Sequence, residues 1–116
     1  MNYKVPSNIR KIAKRAIEYN LSLPMSKRAA YKEEGGKRVQ GTGMNTARKL
    51  INGTVNDAQI IKMNAWFARH GESQKEKEAR KNRTSKASIA WALWGGSSAE
   101  RWVKSIYKKI QNREKK

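Results

Sequence analysis

Proton transfer at neutral pH draws first on histidine, and this chain has one, His70. With no cysteine it has no thiolate nucleophile, no thiolate metal ligand and no disulfide. A single histidine excludes a His–His metal pair. The nine acids are mostly isolated, as Glu18, Asp57 and Glu100 are, or sit in mixed-charge helix, as Glu76 and Glu78 do. No pair of carboxylates is therefore spaced for hydrolysis. His70 reads as a structural residue at a helix C-terminus, where the dipole favours an imidazolium and Trp66 lies one turn back. Residues 35–43, GGKRVQGTG, carry the glycines of a phosphate-cradling loop, but no Gly-Lys-Ser/Thr follows and no strand is expected before them. They read either as a flexible connector or as backbone able to approach phosphates, with Lys37 and Arg38 beside it. The expectation is a non-enzyme with no catalytic residue, no cofactor and no metal.

What remains is charge. Lys and Arg number 27 against 9 Asp and Glu, a net charge of +18 with a pI near 10.6. The excess is +9 in residues 1–50 and +9 in 51–116, so it is no detachable tail on a neutral body. Self-repulsion of that size is relieved by a polyanion. Three sets of cations recur on separate elements: Arg10, Lys11, Lys14 and Arg15 on one helix face; Arg101, Lys104 and Lys108 on another; Lys81, Arg83 and Lys86 between them. With Lys37 and Arg38 these are the candidate nucleic-acid-binding residues, contacting phosphates rather than reading bases. Duplex DNA stands ahead of RNA. A second reading is a protein-interaction factor docking on an acidic surface. Trp91 and Trp94, 300° apart around their helix, leave one ring for stacking on a base, and Tyr3 and Tyr31 are further candidates.

Those side chains must be positioned by helices, because the apolar residues recur at helical spacing and no segment alternates with period two. Ile9, Ile12, Ala13, Ala16 and Ile17 share one face of a first helix with Ser7 as its cap, ended by Asn20–Pro24. A shorter helix is expected from Ser26 to Glu34, stopped by Gly35-Gly36. Met44, Ala47, Leu50 and Ile51 define another, closed at Asn52-Gly53. Thr54 and Asp57 resemble a capping box for the next, which presents Ile60, Met63 and Phe67 and stops at Gly71. The corner over 44–70 is either structural or a helix-turn-helix. Residues 72–86 form a charged linker or a helix extension. A short buried helix follows to Gly95. The last helix starts at a Ser97/Glu100 capping box, buries Ala99, Trp102, Val103, Ile106, Tyr107 and Ile110, and frays over 113–116. Four Trp and four Tyr in a chain only 37% hydrophobic indicate a folded domain rather than a basic tail. The expected fold is all-α, one domain over 1–116, with five or six short helices and a Trp-rich C-terminal core. No stretch is apolar enough to span a membrane, and the setting expected from the missing cysteines is intracellular.

The segments "WFARH" (66–70) and "SKASIAWALWGGSSAERW" (85–102) carry a resemblance. Residues 43–103 resemble a small helical module found in bacteriophage proteins. There an aromatic-Phe-Ala-Arg-His helix end precedes Pro-Ser-x-Gly-x-Ile-Ala-Trp-x-x-Trp-Gly-Gly-x-x-Gly-x-x-Trp. The chain matches at Phe67, Ala68, Arg69, His70, Ile89, Ala90, Trp91, Trp94, Gly95, Gly96 and Trp102. It departs at Thr84, where the module often has Pro, and at Ala87 and Ala99, where Gly is usual. The resemblance implies a helical fold and a phage origin, hence the host cytoplasm during infection or the virion as location. It assigns no activity.

Overall fold

Pro6 sets the first helix. Its extended backbone (φ −57°, ψ 147°) turns directly into α1, Ser7–Ser22, with no side-chain cap, so Ser7 is the first helical residue rather than the cap. The computed structural model describes residues 1–114. α1 buries Ile9, Ala13, Ala16, Ile17 and Asn20, the apolar stripe expected of it plus one amide and without Ile12, which is half-buried. It ends where Leu23 becomes extended ahead of Pro24, as a residue before proline must.

The chain then departs from the expected helix over Ser26–Glu34. A single 3-10 turn, Met25–Lys27, is followed by strands β2 (Tyr31–Glu34) and β3 (Lys37–Gln40) in an antiparallel hairpin. Gly35 and Gly36 both have positive φ, 57° and 80°, the requirement of a tight hairpin turn that L residues rarely meet. Glu33 faces Arg38 and Glu34 faces Lys37 across the ladder, so opposite charges support the register. The glycine-rich segment is thus a hairpin return and the start of a helix, not a free loop.

Helix α2, Thr42–Asn52, closes on left-handed Gly53 (φ 96°). Strand β4, Thr54–Asn56, follows and pairs antiparallel with β1, Asn2–Lys4, placing Tyr3 opposite Val55. Thr54 is therefore in a strand, and the cap of α3 (Asp57–Glu72) is Asn56, which accepts from the Gln59 N–H. α2 packs chiefly on α1 and α5, and α3 on α6. The 44–70 corner is thus not a pair of helices mounted on each other.

The 72–86 segment is neither a loose linker nor a continuation of α3. Ser73 breaks the helix and caps a separate one, α4, Gln74–Arg80. α5, Lys86–Leu93, is capped by Ser85, and its end is marked by left-handed Gly95 (φ 100°). α6 spans Gly96–Glu114. Ser97 lies inside it, its hydroxyl accepting from the Trp91 indole at 3.2 Å, so no Ser97/Glu100 box forms. Arg113 and Glu114 are helical rather than frayed, and Arg113 holds Asp57 at 2.7 Å. The remainder of the expected frayed tail, 115–116, lies outside the described residues.

Among the described residues there are six α-helices and two small two-stranded sheets. The core gathers Ile9 and Ala13 of α1, Met44 and Leu50 of α2, Met63 and Phe67 of α3, Leu93 and Trp94 at the end of α5, and Val103 and Ile106 of α6. Trp94 is buried, while Trp91 and Trp102 pack against the core half-buried. No helix is long and apolar enough to cross a membrane among the described residues.

Candidate nucleic-acid interface

The positions of the charged side chains follow from how the non-helical segments are tied down. Asn20, fully buried on α1, donates to the Ala29 carbonyl at 3.0 Å and accepts from the Ala29 N–H at 2.9 Å. Ala30 then takes a left-handed φ of 60°, and its carbonyl accepts from Gly41 at 2.7 Å. These bonds fix the hairpin against α1. Arg28 is built into the same turn, donating to the Leu23 and Leu21 carbonyls at 2.9 and 2.8 Å and lying over the Tyr31 ring. Arg38 reaches back to the Met25 carbonyl at 3.2 Å.

The stretch after α4 is held as firmly. The Ser85 hydroxyl donates to the Ala79 carbonyl at 2.7 Å, and Asn82 accepts from the Thr84 N–H at 3.0 Å. Arg83 therefore stands on a fixed loop, and Lys86 on the first turn of α5.

Four concavities form a chain in which each shares lining residues with the next. The first lies between α1 and α5, with Arg15 and Arg83 lining it. It shares Tyr19 and Thr84 with a second, lined by Lys27 and Lys86. Lys86 also lines the third, with Arg28, Lys32 and Arg38. Ala30 and Ala90 join that one to the fourth, where Lys62 and Arg69 of α3 stand seven residues apart, on one helix face. Two acids line the band, Glu33 and Glu76. Among the described residues, Arg15, Lys27, Lys62, Arg69, Arg83 and Lys86 have no carboxylate within 4.0 Å.

The sequence candidates divide accordingly. Arg15, Arg38, Arg83 and Lys86 come together in the band. Arg10, Lys11 and Lys14 line a separate concavity with Ile51. Lys37 sits exposed at the hairpin turn, Lys81 pairs with Glu78 at 3.0 Å, and Lys104 pairs with Glu100 at 3.7 Å. Arg101 and Lys108 are exposed on α6, outside the lining of the band. Sequence reasoning missed Lys27, Arg28, Lys32, Lys62 and Arg69. The seven-residue spacing of Lys62 and Arg69 was the available signal.

The aromatic candidates are engaged inside the protein. Trp66 stacks on Trp94 with ring centroids 4.4 Å apart and planes 7° apart. Arg80 covers the Trp91 ring at 4.0 Å and donates to the His70 carbonyl at 3.1 Å. The Tyr3 hydroxyl donates to Asp57 at 2.6 Å. That bond, more than burial, raises the Tyr3 pKa. It also holds the Asp57 carboxyl below its ordinary value, against the effect of burial and with help from Arg113. Tyr19 is the aromatic left open, 40% exposed on the band.

His70 packs on Trp66 at 4.3 Å, as its position one turn later implied. Its Nδ1 meets both Glu76 oxygens, at 2.6 and 2.8 Å, which ties α4 to the end of α3. The imidazole and Glu76 form the wall of a cavity of about 450 Å³ with Lys62 and Arg69. No group of three or more His, Asp or Glu side chains gathers as a metal shell would among the described residues. Comparison with models of protein families, with curated proteins and with solved structures finds no match to the chain.

Proposed function

We propose that the protein is a non-enzymatic nucleic-acid-binding protein that holds a phosphate backbone, of duplex DNA in the first instance, along the band of joined concavities. The observation that carries this reading is that four concavities sharing lining residues gather cations from α1, the 3-10 turn, the hairpin, α3, the 81–85 loop and α5, with few acids interleaved. A solvated charge run needs one element; this arrangement draws on six. α3, the second helix of the 44–70 corner, would lie along the backbone through Lys62 and Arg69. Backbone contact of this kind fixes register and orientation without reading sequence. The resemblance to a phage module adds a viral setting to this reading, with the host cytoplasm or the virion as its place.

Arg28 and Arg38 are held by backbone carbonyls. The six band cations left without a carboxylate or carbonyl partner among the described residues correspond to about six released counterions, hence a slope of log K against log salt near −5 for B-form DNA. Affinity should then fall about 10³-fold between 50 and 200 mM salt. The test is fluorescence anisotropy of a labelled random duplex with protein stripped of nucleic acid in high salt. Binding at 100 mM salt with that slope is the expected result. Absence of binding at 100 mM salt overturns the reading and puts a protein partner in its place.

A further inference from the structure

The first concavity of the band differs from the others in its floor. It is built from Ile12 and Ala16 of α1 with Ile89 and Ala92 of α5, and Tyr19 stands at its edge. Ile12, Ala16 and Tyr19 recur at i, i+4 and i+7, one continuous helix face. Its volume is about 490 Å³, within the range of small-molecule sites. Arg15 and Arg83, which have no acidic partners among the described residues, line the same concavity with Thr84 and Ser88.

A paired duplex offers such a pit nothing, because its bases present only edges in the grooves and keep their faces stacked. An unpaired nucleotide offers both parts: a flat aromatic face for the floor and Tyr19, and flanking phosphates for the two arginines. Continuity fixes where the strand goes next, since Tyr19 and Thr84 also line the neighbouring concavity with Lys27 and Lys86. Tyr19 remains exposed, although Trp66, Trp91 and Trp94 are packed against one another or covered.

We propose, resting on the reading above, that the α1–α5 pit receives one unpaired nucleobase, so that the protein prefers nucleic acid carrying an unpaired nucleotide to a fully paired duplex. The unpaired base leaves the stack most easily where it has no partner, as at a bulge, gap or overhang. No bond is made or broken.

The experiment uses the whole chain and three labelled DNA hairpins of one stem sequence: one fully paired, one with a single bulged adenosine, and one with an abasic bulge at the same place. Binding is read by anisotropy at 100 mM salt. The adenosine bulge should bind about five-fold or more tighter than the abasic bulge, the worth of one base stacked on an aromatic side chain. Tyr19→Ala and, independently, Ala92→Phe, which fills the pit from its floor, should bring that ratio to one. Circular dichroism confirms that each variant is folded, and Tyr19→Ala carries the test should Ala92→Phe unfold. Equal affinity for adenosine and abasic bulges overturns the proposal while leaving backbone binding in place. No binding to any of the three hairpins overturns both. Equal bulge affinities, with a Glu-rich amphipathic peptide bound by wild type and not by Ala92→Phe, would assign the pit to an acidic helix instead and also overturn it.

Discussion

Gly95→Ala tests the packing that joins the Trp-rich block to the rest of the core. Gly95 has φ 100°, outside the regions an L side chain occupies freely, which costs about 1–2 kcal/mol. A Cβ there would also collide with the Ala99 side chain, and it would stand 3.0 Å from Ile9 Cγ2 and 3.3 Å from Leu50 Cδ1. Ile9 and Leu50 are fully buried on two other helices, so relief requires α1, α2 and α6 to move together. Overpacking of this kind adds about 1–3 kcal/mol. The sum, about 2–5 kcal/mol, lowers Tm by about 8–20 °C at roughly 4 °C per kcal/mol for a domain of this size. Gly36→Ala is the internal control: its φ is 80° but nothing lies within 4 Å of the added carbon. It should lose the backbone term alone, about 1–2 kcal/mol, or roughly 4–8 °C. Thermal unfolding followed at 222 nm by circular dichroism compares the two. Equal losses in both variants would refute the reasoning, because the difference between them is the predicted clash.

Ala30, left-handed at φ 60°, should gain about 0.5–1 kcal/mol on replacement by Gly, the αL strain outweighing the added chain entropy; thermal melts should rise by a few degrees. Gly43→Ala would bring two Cβ atoms within 2.8 Å at Ala30 and should destabilise by about 1–3 kcal/mol. Adding Ala30→Gly should relieve most of that loss in a double-mutant cycle. The Asp57 pKa is depressed in the fold, so its contribution to stability is present above the unfolded value near 4 and is lost as pH falls through the folded value. Melts of Asp57→Asn should therefore show a weaker loss of Tm below about pH 4 than wild type.

The helices were legible where packing follows periodicity. α1, α2, α3, α5 and α6 each carry an apolar stripe or block that the 3.6-residue repeat identifies, and Gly53 and Gly95 mark their ends as expected. The hairpin was not legible, because its strands, YKEE and KRVQ, hold few apolar residues and have no alternating face. Its signal was the Gly35-Gly36 pair between oppositely charged segments. β1 and β4 escaped for a different reason: three-residue strands whose paired residues lie 50 to 54 positions apart leave no periodic trace. The caps misled wherever a serine or threonine at the right spacing had other work, as Ser97 does with Trp91. At the site, sequence found Arg15, Arg38, Arg83 and Lys86 but grouped them by local runs. The band is assembled instead by tertiary contacts, with Asn20 holding the 28–30 turn and Ser85 holding the 81–85 loop. No spacing rule in one sequence encodes either contact.

The central claim is that the band, rather than the α6 face, meets the phosphates. The direct measurement is the salt slope of duplex binding for two triple variants, Arg15→Gln/Arg83→Gln/Lys86→Gln on the band and Arg101→Gln/Lys104→Gln/Lys108→Gln on α6. Each removes three charges and leaves the buried positions untouched, so non-specific loss of net charge is the same in both. Each phosphate contact removed flattens the slope by about 0.9. The band variant should therefore lose about three units of slope, with all duplex sequences weakened alike, while the α6 variant keeps the wild-type slope. A flattened slope in the α6 variant with an unchanged one in the band variant would contradict the account.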